Sequence, residues 1–138
     1  MKELNKRFDS YLQEKLDERS SKGLLRSLLN AGGKTDFSSN DYFGFSGMQE
    51  MRTAGPHALT AGATGSRSIT GNSLLAEETE QMIAAFHNRE AALIFNAGYM
   101  ANVGLFSCLA GKNDTYISDE YIHASIIDGM RLSHASRL

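Results

Sequence analysis

The stretch Ala91-Ala-Leu-Ile-Phe-Asn-Ala-Gly-Tyr99 decides the fold class. Its first five residues, 91–95, form a short and wholly apolar run, which predicts a buried β-strand. The residues that follow predict a tight turn at Gly98 and then a helix over about 98–110. A strand, a glycine turn and a helix in succession are typical of a parallel α/β sheet.

The neighbouring segments repeat this alternation. Downstream, the pattern predicts a strand at 115–118, a helix over about 122–134 and the start of a further strand at Ser136. Upstream, it predicts a helix that begins near residue 73, a brief strand at 35–39, and an amphipathic N-terminal helix that Gly23 ends. The expected fold is therefore α/β with an incomplete parallel sheet.

Composition narrows the class of protein. The chain has 138 residues, a net charge of −2 and 41% hydrophobic residues, which predicts a globular protein with no basic surface for nucleic acid. It has no apolar run of the roughly 18 residues that a membrane span needs, and we expect no signal peptide, because the residues after Met1 are largely charged or polar. Cys108 is the one cysteine, so no disulfide framework is expected. We expect a cytoplasmic protein.

Two positions at predicted helix starts are candidates for ligand binding. Gly98 and Tyr99 follow a predicted strand and begin a helix, where free N–H groups and the helix dipole favour a phosphate; an ordinary turn with glycine is the alternative. His123 follows the strand at 115–118, at the sheet edge where α/β proteins bind ligands. Its alternative is a histidine that makes only local hydrogen bonds at a helix start.

Other motifs are weaker evidence for a functional site. The glycine-rich stretch 62–73 is too polar for a core, and a loop of this length is usually functional or disordered. Gly33-Lys34-Thr35 resembles the end of a phosphate-binding P-loop, but Leu28 stands where that motif needs glycine. A zinc site is not expected, because the histidines show no metal-binding spacing; they are His57, His87, His123 and His134.

Four ordered motifs together resemble the α-oxoamine synthases, which are pyridoxal-phosphate (PLP) enzymes of fold type I. The motifs are Ser38-Ser-Asn-Asp-Tyr-Phe-Gly44, Gly65-Ser-Arg-Ser-Ile-Thr-Gly-Asn-Ser73, Ala91 to Asn102, and Ser118-Asp-Glu-Tyr-Ile-His-Ala-Ser125. The resemblance implies an N-terminal helix and strand segment at 1–50, followed at 51–138 by the first part of the large, aspartate aminotransferase-like PLP-binding domain.

The resemblance also implies a reaction and its site residues. PLP is the electron sink while an amino acid loses its α-proton, attacks an acyl thioester and loses CO2. L-alanine and a pimeloyl group on CoA or acyl carrier protein are implied for the biotin-synthesis branch. The glycine C-acetyltransferase, 5-aminolevulinate synthase and serine palmitoyltransferase branches of the family remain open. The implied roles are cofactor binding by Gly98, Tyr99 and His123, with His123 also catalytic, and substrate binding by Arg26, Asn40 and Ser66. A homodimer is implied as well.

One family feature has no counterpart here. The lysine that carries PLP in this family lies far downstream, and the lysines of this chain stand in no matching context; they are Lys2, Lys6, Lys15, Lys22, Lys34 and Lys112. We therefore expect the first part of such an enzyme, inactive alone. The rival hypothesis is a non-catalytic remnant or an interaction module.

Overall fold

A computed structural model describes residues 2–29, 35–48 and 62–138 of the chain. The turn predicted at 30–33, Lys34 of the P-loop alternative, and His57 lie outside the described residues. The chain divides into two compact units, Met1–Glu78 and Thr79–Leu138.

The first unit begins with helix α1, Lys2–Ser21. The helix ends where Gly23 takes a φ of 65°, a left-handed conformation that glycine adopts without a steric penalty. The N–H groups of Leu24 and Leu25 then both donate to the Arg19 carbonyl, at 2.8 and 3.2 Å. The predicted N-terminal helix is confirmed, and the apolar segment that follows it is irregular and exposed.

Two loops complete the described part of this unit before the second helix. We call residues 39–48 the first loop, which includes a short 3-10 turn at Phe45–Gly47, and residues 62–73 the second loop. A backbone hydrogen bond of 2.8 Å joins them, from the Asn40 N–H to the Thr64 carbonyl. The brief strand predicted at 35–39 is wrong, because the Asp36 carboxylate accepts the Ser38 N–H and turns the backbone there.

Helix α2, Leu74–Phe86, confirms the helix expected from residue 73. It is capped by the Ser73 hydroxyl, which accepts the Ala76 N–H at 3.2 Å. The helix ends at Phe86, and two residues later Asn88 takes a φ of 51°, in the left-handed region that asparagine tolerates better than most residues.

Two packed helices form the centre of the second unit: α3, Gly98–Cys108, and α4, Ala124–Leu132. Gly129 permits their close approach, since a Cβ at this position would lie 2.8 Å from the Phe106 Cβ and 3.0 Å from the Asn102 carbonyl oxygen. The sequence predicts both helices, at about 98–110 and about 122–134. The second begins two residues later than expected, because His123 is its capping residue and not part of its first turn.

Strand β1, Thr115–Tyr116, pairs in parallel with β2, Ser136–Arg137, so helix α4 is the crossover of a βαβ unit. Three hydrogen bonds form the ladder: Ser136 N–H to the Asp114 carbonyl, Leu138 N–H to Tyr116, and Ser118 N–H to Leu138, at 2.9 to 3.0 Å. The parallel sheet and the strand expected at 136 are confirmed.

The buried strand predicted at 91–95 is wrong. In the described residues this segment has no strand partner, and a strand without a partner leaves its backbone groups unpaired. The Ile94 N–H instead donates to the buried Glu80 carboxylate at 2.7 Å. Leu93 is 62% exposed, so apolar composition alone does not produce a buried strand here.

The buried core of the described residues is small. Its apolar members are Ala84 and Met130, and its polar members are Glu80 and Ser125. No helix in the described ranges has the length and hydropathy to cross a membrane.

Candidate functional site

The start of α3 is open to a ligand. Ala97 precedes the helix in an extended conformation and has no polar side chain, so no side chain at the cap position accepts the N–H groups of the first turn. The first helical bond runs from the Ala101 N–H to the Ala97 carbonyl. A Cβ added at Gly98 would meet no atom within 4 Å. The backbone here can therefore accept a close anionic group.

His123 lies beside this helix start. Its imidazole and the Tyr99 ring form an edge-to-face pair with centroids 6.1 Å apart and planes at 70°. The same imidazole caps α4, since its Nδ1 accepts the Ser125 N–H at 3.2 Å and lies 2.7 Å from the Ser125 hydroxyl. The local hydrogen bonds at a helix start are therefore confirmed. His123 is also exposed, and its role toward a ligand stays a prediction.

Tyr99 also connects the two helices. Its hydroxyl donates a hydrogen bond to the Asp128 carboxylate on α4, and Arg131 lies 3.5 Å from the other oxygen of that carboxylate. The hydrogen bond to Asp128 is the main cause that raises the pKa of Tyr99, followed by desolvation and by the negative charge. The phenol therefore stays protonated at neutral pH and keeps its position at the start of α3.

This arrangement fits a planar aromatic ligand that carries a phosphate, which is the chemistry of PLP. The open start of α3 offers backbone donors to an anion, and the exposed imidazole of His123 offers a ring for stacking. Gly98, Tyr99 and His123 thus lie at two adjacent helix starts, on packed helices of a single unit.

The first unit contains a separate polar cavity of about 320 Å³ between the two loops. Asn40 lines it and is exposed, as one expects of a residue that contacts a ligand. The other lining residues are Asp41, Phe45, Ser46, Ala63, Thr64 and Gly65.

Asp41 organises the wall of this cavity. Its two carboxylate oxygens accept the N–H groups of Phe45 and Ser46, each at 2.9 Å. Hydrogen bonds from Ser46, first from its side chain and then from its N–H, hold the pKa of the Asp41 carboxyl below its usual value. The ionised carboxylate therefore fixes the first loop.

Ser66 and Arg26 differ in how firmly they are placed. The Ser66 carbonyl accepts three N–H groups, from Ile69, Thr70 and Gly71, at 2.9 to 3.1 Å, and its exposed hydroxyl lies 3.2 Å from that of Ser68. Arg26 is exposed in the irregular segment after α1. The structure places Asn40 beside the second loop that contains Ser66, and it does not bring Arg26 to the cavity wall.

Sequence reasoning assigned no role to several residues that hold these sites. Asp41, Asn102, Ser125 and Asp128 are the clearest, and each makes its contact through a specific hydrogen bond. Asp41 precedes a turn and Ser125 follows the cap position of a helix, which are signals for local hydrogen bonding. No sequence signal identifies the contacts between α3 and α4. In the described part of the chain, no group of three or more His, Cys, Asp or Glu residues is placed to hold a metal ion.

Comparison with known proteins gives one family and a consistent set of relatives. The family described as aminotransferase class I and II matches residues 32–137. The 8-amino-7-oxononanoate synthase 2 of Bacillus subtilis is 41% identical over 144 residues, covering 94% of this chain and 37% of the relative. The 8-amino-7-oxononanoate synthase of a Mycobacterium species is 42% identical, covering 91% of this chain and 35% of the relative. The chain thus spans about a third of the length of these relatives.

Solved structures give the same fold. Serine palmitoyltransferase from Sphingomonas wittichii is 42% identical, with a TM-score of 0.53 over 56% of this chain and 19% of that chain. A serine palmitoyltransferase variant from S. paucimobilis with a bound PLP–myriocin aldimine is 40% identical, with the same TM-score over 56% of this chain and 20% of that chain. The fold is therefore part of the fold-type I architecture of PLP-dependent transferases, as the sequence predicts.

Proposed function

This chain belongs to the aminotransferase class I and II family, and from that premise we propose that it forms part of a PLP-dependent acyltransferase of the 8-amino-7-oxononanoate synthase type. Such an enzyme condenses an amino acid with an acyl thioester and releases CO2. The named relatives from Bacillus and Mycobacterium support this assignment. PLP would supply the electron sink for the carbanion, and the protein would supply positioning and electrostatics.

The open start of α3 beside His123 is the observation that carries the proposal. The N–H groups at Gly98 and Tyr99 would bind the PLP phosphate, since an uncapped helix start combines free donors with the positive end of the helix dipole. The empty space around the Gly98 Cα would let the phosphate approach the backbone.

His123 would hold the pyridine ring by stacking and orient the bound amino acid. Its backbone and Nδ1 are fixed by the start of α4, so the ring would meet the ligand with little loss of conformational freedom on binding. We expect this role to appear in turnover more than in folding, because His123 is exposed and its ring contributes little to the buried core.

The substrate roles concern the first unit. Asn40 would contact the carbonyl of the amino acid or of the acyl group from the cavity wall, and Ser66 would lie near the thioester carrier. Arg26 suits a carboxylate, such as the far end of a pimeloyl chain, because guanidinium binds carboxylates through paired hydrogen bonds. L-alanine and a pimeloyl thioester are the proposed substrates, in a cytoplasmic homodimer.

A related acyltransferase is the second candidate. Serine palmitoyltransferases of 40 to 42% identity share the fold, so serine with a long-chain acyl thioester is a specific rival to alanine with a pimeloyl thioester. Turnover of the full-length gene product with each pair separates the two. Product from serine and palmitoyl-CoA alone would replace the proposed substrates and leave the PLP site in place.

The phosphate site is tested by comparing PLP with pyridoxal, which lacks the phosphate. In the full-length gene product, we expect Gly98→Val to weaken PLP binding at least tenfold in equilibrium dialysis, because its side chain fills the space that the phosphate needs. Pyridoxal binding should be nearly unchanged. Gly47→Val is the matched control, since a Cβ at Gly47 also meets nothing within 4 Å. Equal PLP affinity in the wild type and Gly98→Val would refute the assignment.

A further inference from the structure

Ser125 is the most deeply buried side chain in the described part of the molecule, with no exposed surface. Its hydroxyl lies between two polar groups from different segments. The Asn102 amide on α3 donates to the Ser125 Oγ at 2.9 Å, and the His123 Nδ1 lies 2.7 Å from the same oxygen. A buried hydroxyl in this position has both its donor and its acceptor capacity used.

The direction of each hydrogen bond follows from the groups that can act only as donors, which are the Ser125 backbone N–H and the Asn102 amide nitrogen. The Ser125 backbone N–H is always a donor, and it points at the His123 Nδ1 over 3.2 Å. The Nδ1 must therefore be an acceptor without a proton. The Ser125 hydroxyl then donates its own proton to Nδ1 and accepts from the Asn102 amide, which agrees with the donor role of the Asn102 Nδ2.

We propose that Asn102 and Ser125 are positioning residues that hold neutral His123 in its Nε2–H tautomer and fix the direction of its ring. The relay runs from α3 through a fully buried hydroxyl to the residue that caps α4. With Nδ1 occupied, the exposed His123 presents a hydrogen-bond donor outward and no acceptor.

The tautomer is a property of the folded chain alone, whereas its use on a bound ligand rests on the proposed function. In that use, the relay would place an N–H, and not a lone pair, beside an acceptor oxygen of the substrate. It would also limit rotation of the ring that stacks on the cofactor.

The first test measures the tautomer in the 138-residue chain itself. Nitrogen-15-labelled histidine allows two-bond proton–nitrogen spectra to distinguish Nε2–H from Nδ1–H imidazole at alkaline pH, where the ring is neutral. We expect His123 to be Nε2–H, with His87, which has no such relay, as the internal comparison in the same spectrum. A His123 ring with its proton on Nδ1 would overturn the proposal.

Two variants test the relay from its two members. Asn102→Asp replaces a donor with groups that only accept, so the Ser125 hydroxyl should turn toward the new carboxylate and release Nδ1. Ser125→Ala removes the hydroxyl altogether. Each should lower the ratio of Nε2–H to Nδ1–H imidazole about fivefold, the effect of one hydrogen bond. Ser107→Ala, which removes an α3 hydroxyl bonded to the Gly104 carbonyl, should leave the ratio unchanged.

The helical circular dichroism of each variant identifies any loss of folding, and if one variant unfolds, the other still tests the relay. An unchanged ratio in a folded Asn102→Asp chain would refute the relay. PLP binding is measured separately, in the full-length gene product and its variants. If the tautomer is as expected but PLP does not bind, the relay stands and the proposed function fails. If PLP binds to a chain whose His123 is Nδ1–H, the function stands and the relay fails.

Discussion

The α3–α4 pair and the two loops of the first unit hold their candidate residues by different means. The helices meet at Gly129, where close backbone approach buries Ser125 and brings Tyr99 to His123. The loops instead rely on backbone hydrogen bonds and on the Asp41 carboxylate, around an open polar cavity. The helix site depends on packing together with hydrogen bonds between the two helices, and the loop site on local hydrogen bonding.

This difference predicts how each region responds to change. A close-packed contact resists any added volume, because neighbouring atoms on both helices would have to move. A hydrogen-bonded loop tolerates added volume at its surface but depends on the ionisation of the group that organises it.

The largest effect is expected from Gly129→Ala. The added Cβ would lie 2.8 Å from the Phe106 Cβ and 3.0 Å from the Asn102 carbonyl oxygen, so the helices must separate. We expect a loss of about 1–3 kcal/mol in the free energy of unfolding, measured by urea denaturation. Gly104→Ala is the control, because its Cβ would lie 3.5 Å from the Phe95 ring, an ordinary contact. Equal stability of the two variants would show that close packing at Gly129 does not stabilise the helix pair.

Ser73→Ala tests the hydrogen bond that ends the second loop and begins α2. The Ser73 hydroxyl accepts the Ala76 N–H, so its loss leaves a helix-start donor without a side-chain partner. We expect a loss of about 1 kcal/mol, smaller than at Gly129, by the same urea measurement. Ser107→Ala removes a hydroxyl inside α3 and should cost less. A cost at Ser107 as large as at Ser73 would show that capping is not the cause.

Acid should loosen the first loop before it affects the helix pair. The pKa of Asp41 is lowered in the folded state by its hydrogen bonds with Ser46 and with the Phe45 N–H. Its contribution to stability is therefore complete above the unfolded value of about 3.9 and is lost as the pH falls through the lower folded value. The protection of the Phe45 and Ser46 amides, measured relative to their intrinsic exchange rates at each pH, should fall over that interval, and Asp41→Asn should abolish this pH dependence. Protection that does not change there would contradict the role of Asp41.

The smallest effect is expected at alkaline pH, at the contact between Tyr99 and Asp128. The pKa of Tyr99 is raised, so this contact contributes fully below the unfolded value of about 10 and is lost as the pH rises through the higher folded value. Ultraviolet titration should show one tyrosine that ionises later than the others, and Asp128→Asn should bring it back toward them. Tyr99→Phe should leave the helix pair folded. If Tyr99 ionises at the same pH as the other tyrosines, its hydrogen bond to Asp128 does not contribute to the stability of the helix pair.

Much of the fold could be predicted because it follows from local pattern. Helices α1, α2, α3 and α4 each carry a periodic apolar face or an end signal such as Gly23, and these signals act within a few residues. The segment at 91–95 could not be predicted in this way. Whether an apolar run becomes a strand depends on a partner strand, and in the described residues its Ile94 N–H bonds to Glu80 instead.

The candidate site divides along the same line. The helix starts at Gly98 and after His123 could be predicted because such starts are visible in the sequence, although the strand expected before Gly98 is absent from the described residues. The ligand-binding roles of the two residues stay predictions. Asn102 and Ser125 were quoted only as parts of motifs, since their bond joins residues 23 positions apart and depends on how α3 packs against α4. Sequence thus indicates the residues that could contact a ligand more readily than those that hold them in place.

The parallel pairing of β1 with β2 has a kinetic consequence. The two strands are separated by only about twenty residues, so the loop that must close is short, and its entropic cost grows only as the logarithm of its length. Contacts between residues close in sequence form early in folding. The βαβ unit around α4 is therefore expected to belong to the folding nucleus, so that substitutions in it slow refolding more than they speed unfolding, as stopped-flow measurements on Gly129→Ala would reveal.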